Sequence, residues 1–306
     1  MSEVTRAGRT RRVYVVITAA RNEEAHIENT IRSVIAQTVL PLRWVIVSDG
    51  STDRTDEIVR DYADTWRFIE LFRVGHTHSL ASRVRALNQG AHRCGQTEFE
   101  FISHLDGDVS FGPSYFADLL ERFERDPNLG VAGGGIYEWD GSKYSPRREN
   151  RIWSVAGAVQ MFRRQCYESI GGFLPLRRGG YDSCAEVTAR MKGWGVESFP
   201  DLAVYHHRPS RGWACLRRRY REGLMDFSLG SHPLFEIAKL ARRVWSRPYV
   251  LGALVRFCAF TWAYCRREKR PVSEEFVKYL RREQLGRLWH FGRSLLRGYR
   301  AAKISP

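Results

Sequence analysis

A chain of 306 residues with 43% hydrophobic and 12% aromatic residues can bury a large core, which excludes a disordered or fibrous protein and predicts one large domain with an appendage, or two domains. The formal net charge is +15, yet residues 208–306 hold 23 Lys+Arg against 7 Asp+Glu, so the whole excess lies in the C-terminal third. A basic segment joined to a near-neutral domain predicts an anionic partner, either nucleic acid or an anionic membrane face. The six cysteines (Cys94, Cys166, Cys184, Cys215, Cys258 and Cys265) form no Cys-x-x-Cys pair and have no His at zinc spacing, as expected of reduced thiols in the cytoplasm. Met1 to Arg12 is basic and lacks the apolar stretch of a secretory signal, which again predicts a cytoplasmic chain.

In chain order, Val13 to Ile17 is a continuous apolar run rich in β-branched residues and predicts a buried parallel strand, followed by the loop Thr18 to Glu24. Ile27, Ile31, Val34 and Ile35 fall at helical spacing. Arg43 to Ser48 predicts a second buried strand ending in Asp49-Gly50-Ser51-Thr52-Asp53, with Ser51 or Thr52 as the cap of a helix over Asp53 to Tyr62. A third strand over Phe68 to Phe72 precedes a helix over Ser79 to His92. A fourth strand, Phe99 to Leu105, delivers Asp106-Gly107-Asp108. Ser114 to Arg125 predicts a further helix. The glycine triplet Gly133-Gly134-Gly135 predicts a strand or loop where backbone approaches backbone or ligand closely. Glu138 to Trp153 predicts an insertion or acceptor-side loop, and Gly157 to Phe162 a return to strand. Strands alternating with helices predict a parallel α/β sheet, whose ligands bind beyond the carboxyl ends of its strands. Asn22-Glu23, Asp49 and Asp106-Gly107-Asp108 all fall on that edge.

Two carboxylates one residue apart after a buried strand suit a hard divalent cation such as Mg²⁺ or Mn²⁺, which is held by one or two protein carboxylates with substrate phosphates completing its shell. The competing reading is an Asp-Gly turn. Further on, Asp182 is placed to cap a helix running to Lys192, with Glu186 four residues on and on the same face. Two carboxylates so placed near a cleft suit a general base and its positioning partner.

Asn22-Glu23-Glu24, Val45 to Asp53 and Leu105 to Asp108, in this order and spacing, resemble the family 2 glycosyltransferases with the GT-A fold, a Rossmann-like, mostly parallel sheet flanked by helices. The resemblance extends through Gly171-Gly172-Phe173 and Tyr181 to Glu186 as far as His207. It implies a catalytic domain over residues 1–207 that binds a nucleotide-diphospho-sugar and transfers the sugar with inversion. Ala20, Arg21, Asn22 and Glu23 with Asp49, Gly50 and Ser51 would hold base and ribose, and Arg85 and Asn88 would lie near the diphosphate. Asp106 and Gly107 would contact the donor, and Asp106 and Asp108, completed by His207 in preference to the neighbouring His206, would hold the cation. The family places a Glu-Asp pair where this chain has Asp182 and Glu186, so either is the candidate base, with Asp182 preferred. The chain also departs from the family at Ala20-Arg21, where Pro followed by an aromatic is common.

Beyond Arg208 the expected extension is helical and basic. Trp213 to Gly230 and Pro233 to Trp245 come first, then an apolar stretch over Val250 to Tyr264 that Arg256 interrupts and that falls short of the ~20 residues of a spanning helix. Leu285, Leu288, Trp289, Leu296 and Tyr299 form an apolar stripe beside Arg281, Arg282, Arg287, Arg293, Arg297 and Arg300, the pattern of a helix lying in a membrane interface; packing of that stripe on the domain is the alternative. The expectation is therefore a peripheral protein at the inner face of the cell membrane that takes a glycan or polyprenyl-linked acceptor, without nucleic acid. Alternative readings are a non-catalytic protein binding nucleotide sugars or nucleic acid, and a nucleotidyltransferase, which also uses paired carboxylates and metal.

Overall fold

The computed structural model of the chain describes residues 12–75, 79–95, 97–139, 142–147, 150–208, 214–243 and 249–302. The basic segment before Arg12, together with Pro209, Trp213 and Trp245, lies outside the described residues, as do the side chains of Cys215, Leu296, Arg297, Tyr299 and Arg300. The chain divides into two compact units, Met1–Pro209 and Ser210–Pro306, next to the change in charge at residue 208.

In the first unit the elements run β1 (Tyr14–Ala20), α1 (Ile27–Ile35), β2 (Arg43–Asp49), α2 (Thr55–Thr65), β3 (Ile69–Val74), α3 (Leu80–Cys94), β4 (Phe101–Leu105) and β5 (Val109–Phe111), then α4 (Tyr115–Arg125), β6 (Leu129–Trp139), β7 (Tyr144–Pro146), β8 (Val159–Arg163), α5 (Arg164–Ser169), α6 (Tyr181–Met191) and β9 (Gly195–His206). One sheet joins the strands in the order β3-β2-β1-β4-β8-β6-β9-β5, with β7 paired to β6. The β3-β2-β1-β4 half is parallel. Beyond it, β8 runs antiparallel to both β4 and β6, β9 is parallel to β6, and β5 is antiparallel to β9.

The apolar runs form strands because both faces of this sheet are covered, so β-branched residues are buried on either side. Tyr14, Val16, Trp44 and Ile46 face one cluster, and Val15, Ile17, Val45 and Val47 the other. Ile27, Ile31 and Val34 fix α1 against the first cluster, each contributing about 1.5–3 kcal/mol by burial. Helix α3 opens on a capping box between Ser79 and Ser82 and lies so close to the sheet that a Cβ on Gly90 would come within 2.6 Å of Ile17.

Three local expectations change. Helix α2 begins at Thr55, and neither Ser51 nor Thr52 caps it. Ser51 Oγ is engaged by Asn22 N–H and the Ser48 hydroxyl, while Asp53 Oδ1 accepts from Thr55 N–H at 3.0 Å. The glycine triplet lies inside β6 and is packed against protein, since Cβ atoms on Gly133 and Gly134 would run into the carbonyls of Val159 and Leu202 and into the side chains of Val155 and Tyr115. The expected loop from Glu138 carries the end of β6 and its hairpin partner β7.

The second unit is helical: α7 (Ala214–Ser228), α8 (Pro233–Arg243), α9 (Tyr249–Cys265) and α10 (Glu274–Ala302). Helix α9 crosses α7 at Gly223, where a Cβ would strike the Arg256 carbonyl. Between these helices Arg256, 7% exposed, pairs with Glu222 and Asp226, and Lys239 pairs with Asp226 and Glu236. Among the described residues no helix is long and apolar enough to cross a membrane.

Candidate active site

The ends of β1, β2 and β4 bring the three sequence-predicted loops to one edge of the sheet. Asn22, in a left-handed backbone conformation at φ 54°, accepts a hydrogen bond from Thr52 N–H through Oδ1. Glu23 N–H donates to Thr55 Oγ1, Glu24 N–H to Asp53 Oδ2, and Arg21 Nη1 to the Asp49 carbonyl at 2.9 Å. The first and second loops are thereby one framework. The Asn22 amide shapes that framework, and Ala20 and Asp49 are buried within it.

Against this framework stands the carboxylate pair. Gly107 passes close to Ile27 and Glu23, where a Cβ would meet Ile27 Cδ1 at 3.1 Å. Asp106 pairs with Arg83 from α3. Asp108 Oδ2 meets His206 Nε2 at 3.5 Å and Arg208 Nε at 3.1 Å, and Arg208 also pairs with Glu23. Burial raises the pKa of Asp106 despite Arg83. Burial opposes ionisation of Asp108 as well, but the His206 hydrogen bond and the charges of His206 and Arg208 outweigh it and hold that carboxyl below its ordinary range. His206 is raised in return, chiefly through that hydrogen bond. Glu23 is raised by burial, with Arg208 opposing.

Asp182 belongs to the same neighbourhood. It sits in the first turn of α6 and does not cap it; Gly180 holds the cap position at φ 82°. Its carboxylate packs on backbone, since a Cβ on Gly157 would lie 2.7 Å from Asp182 Oδ2. Burial raises its pKa, while Arg83 and Arg147 lower it, and its own charge acts on Asp106.

Four expected residues lie elsewhere. Glu186, 3% exposed, is turned into the core, where Oε1 accepts from Val155 N–H at 2.7 Å and Gln160 Nε2 at 3.1 Å, and burial pushes its pKa up to about 8. Four residues along a helix do share a face, but here the later carboxylate meets the packed strand β8 and not the cleft. His207 points away from the carboxylates: Nδ1 bonds Tyr144 OH at 3.0 Å and Nε2 bonds Ser110 Oγ at 2.8 Å. Neighbouring residues of a strand face opposite sides, so His206 is the imidazole that reaches Asp108. Arg85 is exposed on the outer face of α3. Asn88 clamps the Phe173 backbone, donating to its carbonyl at 2.7 Å and accepting from its N–H.

The candidate site read from the sequence leaves out Arg83 and Arg208, and it prefers His207 where His206 is the imidazole that faces Asp108. A signal for Arg83 existed, because it shares a helical face with the buried Leu87, whereas Arg85 shares one with the exposed Gln89. Arg208 follows the last strand and carried no motif.

The donor set of two carboxylates and an imidazole suits a hard or borderline divalent cation. Asp108 Oδ1 is buried without a hydrogen-bond partner, so the residues fit such an ion. Among the described residues no three His, Cys, Asp or Glu side chains are already gathered as a metal cluster.

Comparison with known proteins accounts for this arrangement. The chain is 27% identical over 156 residues to a poly-β-1,6-N-acetyl-D-glucosamine synthase of Staphylococcus epidermidis, a match covering 50% of this chain and 32% of the relative. The corresponding synthase of Staphylococcus aureus is 28% identical over 142 residues, covering 46% and 30%. The chain thus spans about a third of the length of these curated relatives. Among solved structures, the mannosyltransferase PcManGT of Pyrobaculum calidifontis, in complex with GDP-Man and Mn²⁺, superposes with a TM-score of 0.56 at 20% identity, covering 94% of this chain and 81% of that one. S. aureus TarS residues 1–349, in complex with UDP-GlcNAc, gives a TM-score of 0.52 at 14% identity, with coverage of 87% and 78%. Both likenesses place the fold in the GT-A class. The sequence profile described as Glycosyl transferase family 2 matches residues 15–183, the stretch that builds the laced loops, the carboxylate pair and Asp182, and the chain belongs to that family.

Proposed function

We propose that the chain is an inverting glycosyltransferase that moves a sugar from a nucleoside-diphosphate donor to a hydroxyl of a glycan or polyprenyl-linked acceptor at the cytoplasmic face of a membrane. The observation that carries this reading is the half-buried Asp182 carboxylate set on the Gly157 backbone, close enough to Asp106 for its charge to act there. A general base works best with a pKa raised toward the operating pH, and burial moves Asp182 in that direction.

Asp49, Gly50 and Arg21 form the wall for base and ribose, with Asn22 and Ser51 holding its shape. Arg83 and Arg208 face the diphosphate, where a guanidinium fork matches phosphate oxygens. Asp106, Asp108 and His206 would hold a divalent cation. When bound, that ion offsets charge on the departing diphosphate. Asp182 takes the acceptor proton as the hydroxyl attacks the anomeric carbon from the face opposite the leaving group, so no covalent enzyme intermediate forms. UDP-N-acetylglucosamine is the first donor to test, because TarS is seen with UDP-GlcNAc and the staphylococcal relatives are named for a poly-N-acetylglucosamine product. GDP-mannose is the second, after PcManGT.

The test is thermal stability with UDP, GDP, dTDP and CDP, each with and without Mn²⁺. A ligand at a hundred times its dissociation constant stabilises by about 2.7 kcal/mol, an increase of several degrees. One nucleotide should stabilise more with Mn²⁺, and Asp108→Ala should remove the Mn²⁺ increment. Absence of any nucleotide effect, with no sugar transfer, overturns the reading.

A further inference from the structure

Within that membrane setting, we propose that the outward face of α9 is the surface by which the chain lies on an anionic lipid bilayer. The sequence pattern placed such a surface on α10, where Leu285 and Trp289 are exposed beside an exposed Arg282; α9 differs in presenting no charge outward. This helix is built inside out. Arg256, the one charged residue among its 17, is buried and held by Glu222 and Asp226. Its other inward residues are Ala253, Ala259, Phe260 and Ala263. Outward stand Val250, Leu254, Cys258 and Trp262 at intervals of four, with Leu251 alongside. Leu251 is 54% exposed and Trp262 58%. A helix facing water carries its charges outward and its bulky apolar residues inward, and α9 does the reverse.

Single exposed apolar residues are ordinary, but an uncharged stripe along a whole helix marks a surface that something covers. At 1.5 Å per residue α9 is about 25 Å long, short of the ~30 Å hydrocarbon core, so it suits the plane of the interface and not a crossing. Charge identifies the occupant. Where the stripe ends, the Arg266 guanidinium stacks over the Trp262 ring at 4.9 Å, and Arg267 and Lys269 follow, all three exposed. An aromatic ring beside basic groups at the end of an apolar stripe is the arrangement that anchors a helix at anionic headgroups.

Flotation of the full chain with phosphatidylcholine vesicles, with and without phosphatidylglycerol, tests this. The wild type should float with the anionic vesicles and be released by salt. Leu251→Glu/Leu254→Glu should lose that binding by about tenfold or more, because it places charge where the acyl boundary would be. Leu251→Gln/Leu254→Gln, checked by circular dichroism, guards against a folding defect and should also bind less. Wild-type binding retained in both variants overturns the proposal, as does a wild type that fails to float. A wild-type dimer that either variant dissociates also overturns it, by giving the face to a second copy. Nucleotide-dependent stabilisation reads the proposed function separately: vesicle binding without it counts against glycosyl transfer and leaves the docking surface standing.

Discussion

Each unit of this chain buries a cluster of charges, and the two clusters are built on opposite terms. In the second unit Arg256 donates to Asp226 through Nε at 2.8 Å and pairs with Glu222, and Lys239 Nζ reaches Asp226 at 3.0 Å and Glu236 at 2.8 Å. Among the described residues of that unit no buried side-chain polar atom is left without a partner. In the first unit Asp108 Oδ1, Arg83 Nε and His206 Nδ1 are buried and unpartnered, although Arg83 pairs with Asp106 and His206 with Asp108 through their other nitrogens. Buried polar groups are normally satisfied, so a closed network reads as architecture and an open one as a place prepared for a ligand.

The largest effect that sharpens this contrast is on catalysis. Asp182→Asn should lower the turnover of sugar transfer by about 10²–10⁴-fold, the range for loss of a general base, while leaving the melting temperature and the donor KM near those of the wild type. Steady-state kinetics with circular dichroism checks it; unchanged turnover would return the base to another residue.

The closed cluster should respond in the opposite way. Arg256→Met leaves Asp226 with Lys239 alone and Glu222 with Arg218 and Arg219, and losing the buried guanidinium from the network costs roughly 1–3 kcal/mol. Urea unfolding should show that loss as a lowered midpoint, with nucleotide-dependent stabilisation of the first unit retained. If Arg256→Met instead abolished nucleotide binding at unchanged stability, the second cluster would belong to the site.

How much of this was legible in the sequence depends on what fixes each feature. The parallel strands ending at Ala20, Asp49 and Leu105 were readable because a run such as Val45 to Val47 is apolar on both faces, and that pattern survives any tertiary context. The sheet edge carrying Asp106 and Asp108 followed from it. What failed was direction. The sequence holds both imidazoles at 206 and 207, but only the pairing of Val109 with His206 decides which one faces the carboxylates. Likewise Glu186 was placed on a helix face correctly, while the packing of that face on Gln160 of β8 is a tertiary fact. The apolar run of α9 was plain, yet its inversion depends on which neighbour receives Arg256.

Glu186 offers a third test, now in pH. Its folded pKa of about 8 lies above the ordinary carboxyl value, so the folded state holds a proton that the unfolded state releases. The stabilisation is therefore complete at low pH and is lost as pH rises from the ordinary glutamate range through 8. Between pH 6 and 8 this one group should cost about 2 kcal/mol. Glu186→Gln keeps an acceptor for Val155 N–H and removes the titration, so its melting temperature should fall less over that interval than the wild type's. Parallel curves for the two proteins would show that Glu186 ionises freely and that its burial in the core is misjudged.

The smallest effect separates the two histidines and so tests how sharply the open cluster is bounded. His206→Ala removes the imidazole that meets Asp108 and should weaken Mn²⁺ binding in the presence of nucleotide by about tenfold, near 1.4 kcal/mol. His207→Ala instead removes two hydrogen bonds, from Tyr144 and Ser110, and should cost about 1 kcal/mol of stability for each with Mn²⁺ affinity unchanged. Titration calorimetry of Mn²⁺ against the nucleotide complex, alongside urea midpoints, distinguishes them. The reverse assignment, with His207→Ala losing the metal, would require β9 to shift by one residue against β5. Such a slip exchanges the faces of every residue in the strand, so it would also expose Val204, which is fully buried here.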